Sequence, residues 1–109
     1  MRADALPAGL AVSVITIGEL RAGVLAADTL ETRDRRLGTL LTALSLDPIR
    51  IDDRVAEAWA HLRVALAAAG LRMPVNDSWI AATAIAHGLP VVTQDDDYLD
   101  APGLQVIHV

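Results

Sequence analysis

Glu19, Asp77, Asp95 and Asp97 are the side chains of this 109-residue chain whose type and placement point to chemistry. Glu19 follows the apolar run LAVSVI at residues 10–15, and Asp95 and Asp97 follow the apolar run LPVVT at residues 89–93. Both runs read as buried strands. Asp77 opens the segment SWIAATAIAH, which reads as a helix leading into the second run. In an open α/β sheet, ligands gather outside the carboxyl ends of the strands. A helix antiparallel to the strand that follows it has its N-terminus at that same edge. The order of elements therefore predicts one rim carrying all four acids. Carboxylates crowded together raise one another's pKa, and a hard cation relieves the repulsion. Mg²⁺ or Mn²⁺ takes oxygen ligands and often keeps several waters. Such an ion activates water and stabilises charge growing on a scissile phosphate. No rival ligand set exists, because Cys is absent and His61, His87 and His108 are scattered.

Each acid also has a purely structural reading. Thr16 and Glu19 have capping-box spacing, Asn76 or Asp77 suits a helix N-cap, and residues 95–97 suit a solvated acidic turn. Asp96, between the two candidate ligands, is expected to face solvent. His61 fits an exposed helix face, His87 the last turn of its helix, and His108 the final strand. Trp59 and Trp79 read as core side chains rather than base-stacking platforms. Arg21, early in the helix that carries Glu19, is the candidate for holding phosphate; Arg33, Arg35 and Arg36 read as a solvated helix face.

The elements that must position these residues alternate loosely between strand and helix, which predicts a mostly parallel sheet with helices on its faces. Thr16 is the expected cap of a first helix running to about residue 27. A second helix is expected over 29–45, with Leu30, Leu37, Leu40, Leu41 and Leu44 along one face. A short strand should lie near 49–51, limited by Pro48. Asp52 or Asp53 should cap a helix burying Val55, Trp59, Leu62 and Leu66, and Gly70 should end it. Gly88 should end the next helix, and residues 104–109 should form the last strand. Length bounds the whole to one domain over residues 1–109. Hydrophobic residues make up 53% of the chain, much of it Ala, so a close-packed core is within reach. No run approaches the about 18 apolar residues of a membrane span. The missing Cys fits a reducing cytoplasm. The net charge of −5 is uneven: residues 73–109 hold five Asp and no base, while all nine basic residues are Arg and lie earlier. A local acidic knot beside an Arg-bearing region is compatible with a nucleic-acid substrate.

These segments also carry a family resemblance. AVSVITIGELRAGV resembles the second acidic motif of PIN-domain ribonucleases, with Glu19 as its carboxylate, and NDSWIAATAIAHGLPVVTQDDDY resembles the third and fourth motifs run together. Asp77 then stands as the third acid, and Asp95 or Asp97 as the fourth. Within the family the likeness is to the VapC toxins of bacterial toxin–antitoxin pairs, over about residues 10–109. The resemblance implies a three-layer α/β/α sandwich, Mg²⁺- or Mn²⁺-dependent endoribonuclease activity, a homodimer, and neutralisation by a small VapB antitoxin. It also implies a first strand ending in an Asp that nothing upstream of LAVSVI matches; Asp4 does not take that role. Either the reading frame starts upstream of Met1, or the protein has lost its first βα unit; a chain lacking this unit is expected to cut RNA weakly or not at all. The alternative is a catalytically impaired remnant that retains partner binding, using the Leu-rich helix and the LRAGVLAA segment.

Overall fold

The computed structural model describes residues 12–93 and 102–108. Their elements, in chain order, are α1 (Val14–Leu25), α2 (Leu30–Leu44), α3 (Asp53–Ala68), α4 (Val75–Ala86), β1 (Val91–Thr93) and β2 (Val106–His108). Contacts group the chain into two compact units, residues 2–50 and residues 51–109.

In the first unit, Val12 and Ser13 are extended and pair in parallel with Ile49. The Ile49 N–H donates to the Val12 carbonyl at 2.7 Å, and the Val14 N–H donates to the Ile49 carbonyl at 2.9 Å. The strand expected through residue 15 therefore stops at the bridge. Ser13, not Thr16, is the cap: its hydroxyl accepts the Ile15 N–H at 3.1 Å and turns the chain into α1. A well-placed N-cap outweighs the β preference of Val14 and Ile15. Thr29 caps α2 by accepting the Thr32 N–H, and α1 and α2 pack on each other. Arg36 tightens that pair, donating from Nη1 to the Gly23 carbonyl at 2.7 Å. Val12, Ile17, Leu40 and Ala43 are buried, with Leu20, Val24, Leu44 and Leu46 against them.

The single leucine face expected on α2 splits in two. Leu40, Ala43 and Leu44 face the core. Leu30, Leu37 and Leu41, at i, i+7 and i+11, form a stripe beside it that lies open to solvent. At about 100° per residue, Leu41 points well away from the direction of Leu40, so an apolar stripe this wide cannot be covered by α1 alone.

In the second unit, Asp52 caps α3 by accepting the Val55 N–H at 3.0 Å. Arg54, in the first turn of α3, donates from Nη2 to the carbonyl of Ala86, the last residue of α4, at 2.6 Å. The two helices therefore run antiparallel. Ala81 and Ala82 are fully buried, and their small side chains let the helices approach closely. Gly70 and Gly88 end α3 and α4 as expected, at φ of 69° and 64°. Each turn is closed by the same pair of bonds: Leu71 to Leu66 with Gly70 to Ala67, and Leu89 to Ala84 with Gly88 to Ile85. This is the helix stop that the left-handed conformation of glycine favours. The chain then enters β1, which pairs in parallel with β2 in the register Val91–Val106, Val92–Ile107 and Thr93–His108. Leu62, Leu66, Ala81, Ala84 and Val91 form the core, with Met73, Ile80, Ile85, Leu104 and Val106 packed on it. Val55 and Leu62 are buried as expected, whereas Trp59 is only half-buried. Both pairings seen among the described residues are parallel. No described helix is long and apolar enough to cross a membrane.

Candidate active site

Glu19 is the sixth residue of α1 and exposed. With Ser13 as cap, Thr16 is already helical and Glu19 stands too far along to close a capping box, so that structural reading is overturned. Arg21 is also exposed, but two residues along a helix is a turn of about 200°, so it projects from the opposite side of α1. Asp77 is the third residue of α4 and half-buried. The cap there is Pro74, with no side-chain bond. Its fixed φ of −53° starts the helix before Asn76 or Asp77 can cap it. Asp77 keeps a modest helical role, because a negative charge in the first turn is favoured by the helix dipole. Among the described residues, neither carboxylate has a hydrogen-bond or ion-pair partner.

The residues after Asp77 are held firmly. Ser78 is 1% exposed, donates to the Val75 carbonyl at 2.5 Å, and accepts the Trp59 Nε1–H from α3 at 3.0 Å. The Trp79 ring stacks on Trp59 with centroids 4.3 Å apart and planes 1° from parallel, while the Arg63 guanidinium lies over Trp59 at 5.0 Å. The two tryptophans are thus half-buried and stacked on each other rather than enclosed in the apolar core. Nothing in the sequence singles out Ser78, since its bond to Trp59 spans nineteen positions.

Asp95 and Asp97 lie outside the described residues, as does Asp96. Among the described residues no three His, Cys, Asp or Glu side chains gather into a metal cluster. Glu19 and Asp77 are the described members of the expected set, one in each unit. Carboxylates with no partner among the described residues are the donor type that a hard divalent cation takes. His61 and His87 join no metal cluster among the described residues. His61 is exposed, 3.9 Å from Glu57 on the same helix. His87 is the C-cap of α4, with Nε2 buried and unpaired among the described residues. His108 is in β2 as expected. Of the three clustered arginines, Arg36 is tied to Gly23, and Arg33 and Arg35 are exposed.

A family model described as PIN domain matches residues 2–104. Ribonuclease VapC4 of Mycobacterium tuberculosis (strain ATCC 25618 / H37Rv) is 54% identical over 98 residues, covering 90% of this chain and 75% of its own. Ribonuclease VapC5 of the same strain is 43% identical over 104 residues, covering 95% of this chain and 77% of its own. Among solved structures, a VapBC toxin–antitoxin family member, VapBC-5 from Mycobacterium tuberculosis, superposes with a TM-score of 0.85 at 46% identity. It covers 91% of this chain and 81% of that one.

Proposed function

Because the chain belongs to the PIN-domain family, and within it to the VapC ribonucleases, we propose that it is a metal-dependent endoribonuclease, the toxin of a toxin–antitoxin pair. The observation that carries the reading is that Glu19 and Asp77 are the described acids that match the motifs of the family to which the chain belongs, and that neither serves as a helix cap. With Asp95 and Asp97 they are the residues that would hold Mg²⁺ or Mn²⁺. When bound, the ion supplies an activated water and Lewis-acid stabilisation of the phosphate. The protein's own part is to fix the carboxylates: α1 presents Glu19 beyond its capped first turn, and α4 presents Asp77 from a first turn tied to α3. Arg21, on the other side of α1, is a long-range contact for RNA phosphate rather than a neighbour of Glu19. We read the two units as parts of one three-layer α/β/α domain, since a single family model runs through both, and the protein as a cytoplasmic homodimer. The relatives are named as ribonucleases, which does not favour a role in partner binding alone.

The direct test is cleavage of a single-stranded RNA by the purified chain. Activity that requires Mg²⁺ or Mn²⁺, vanishes with EDTA, returns on adding metal, and falls at least about a hundredfold in Glu19→Gln supports the reading. Cleavage indifferent to EDTA would refute it.

The protein partner is a small VapB-type antitoxin, in keeping with the VapBC neighbour. We assign it the leucine stripe of α2 and the adjacent end of α1: Leu30 is 73% exposed, Leu41 58% and Leu25 86%. An amphipathic helix laid in an apolar groove is a common mode of such recognition. Leu41→Asp should leave the fold intact, because the residue is outside the core, and weaken co-purification with the antitoxin at least about tenfold by burying a charge in the contact. Unchanged binding in a Leu30→Asp/Leu41→Asp variant would place the partner elsewhere.

A further inference from the structure

We propose that Trp59 and Ser78 together form a positioning device for Asp77, so that the metal affinity of the site depends on a hydrogen bond reaching α4 from α3. The inference rests on the reading of Asp77 as a metal ligand. Asp77 makes no bond of its own among the described residues, so its direction is set by the turn of helix that carries it. That turn is held to Trp59 twice by consecutive residues. Ser78 accepts the indole N–H at 3.0 Å, and Trp79 lies flat on the indole face at 4.3 Å. A bond to the edge of a ring and a stack on its face act in perpendicular directions. Together they fix both the rotation of α4 about its axis and its distance from α3. Ser78 passes the constraint on by donating to the Val75 carbonyl, which ties the cap end of the same turn. Arg63 over Trp59 holds the ring from its own helix. Metal ligands depend on such supporting partners, whose loss typically weakens binding by about ten- to a hundredfold.

The substitutions separate this role from stability. Trp59→Phe keeps a smaller aromatic face for Trp79 and removes the N–H; the Ser78 hydroxyl still donates to Val75, so no buried donor is orphaned. Ser78→Ala removes the acceptor, together with the hydroxyl's bond to the Val75 carbonyl, and keeps both tryptophans. The chain has two tryptophans, so its emission reports on this stack. Mn²⁺ titrations of the full chain, read by calorimetry and by tryptophan emission, should saturate in the parent and show no binding at this site in Asp77→Asn. Trp59→Phe and Ser78→Ala should each bind Mn²⁺ about tenfold more weakly with unchanged helix content, and the double variant no more weakly than either single. RNA cleavage by both should recover as Mn²⁺ is raised while helix content stays at the parent value throughout, so that the recovery is not refolding driven by metal binding. Parent-like affinity in both variants, with binding lost in Asp77→Asn, overturns the positioning role and leaves the metal ligand standing. Parent-like affinity in Asp77→Asn removes the ligand reading itself and this role with it. If Trp59→Phe fails to fold, Ser78→Ala alone decides.

Discussion

Asp77→Asn abolishes RNA cleavage, lowering kcat/KM by at least about a hundredfold, and leaves the stability of the chain within about 1 kcal/mol of the parent. The two halves of this expectation have separate causes. On the stability side, Asp77 is neither the cap of α4 nor an ion-pair partner among the described residues; the cap is Pro74. What the substitution removes is the attraction between a carboxylate and the helix N-terminus, worth about 0.3–1 kcal/mol. Part of that is offset if Asp77 feels repulsion from the other acids of the site. On the activity side, Asn matches the shape but cannot supply the charge that draws a divalent cation, and several kcal/mol of transition-state stabilisation go with it. Urea denaturation and single-turnover cleavage on the same preparation check both halves. A variant that still cuts RNA as the parent does would reduce Asp77 to a helix-end charge. One that fails to fold would show a structural role that these contacts do not contain.

The helix ends governed by local rules are legible in the sequence. Asp52, Gly70 and Gly88 act as their residue types predict, because a cap or a left-handed turn is decided within about five residues. The starts of α1 and α4 are less so. LAVSVI has the composition of a strand, yet Ser13 converts its second half to helix once Val12 and Ser13 have paired with Ile49. That pairing is a long-range event that no local window contains. The leucines of α2 are visible as an apolar face, but periodicity cannot tell which edge of a wide face meets α1 and which stays open. The candidate site divides the same way. Its proposed acids are legible as candidates from type, spacing and motif resemblance, since chemistry restricts which residues can hold a hard cation. The support proposed for Asp77 is not, because the Trp59–Ser78 bond and the Trp59–Trp79 stack join separate helices and leave no periodic trace.

Leu62→Ala gives the largest loss of stability, about 2–5 kcal/mol, a third or more of the total if this domain is near the low end of the usual 5–15 kcal/mol. Leu62 is 3% exposed and belongs to the cluster in which α3, α4 and β1 meet, with Leu66, Ala81, Ala84 and Val91. Its partners are poorly able to close over the space. Ala81 and Ala84 are too short to fill it. α4 is also tied to α3 at both ends, by Arg54 on the Ala86 carbonyl and by Trp59 on Ser78. A cavity that cannot collapse costs its full volume as well as the lost transfer energy. Val64→Ala, two residues along the same helix but 72% exposed, should change stability by no more than about 0.5 kcal/mol, which controls for helix propensity. The urea midpoint measures both. Because the described neighbours of Leu62 are apolar, cleavage by Leu62→Ala at low temperature should fall only with the fraction folded, and its Mn²⁺ dependence should match the parent. A Leu62 variant that is stable but needs more metal would mean that the core itself sets the direction of Asp77, shifting that task away from Trp59 and Ser78.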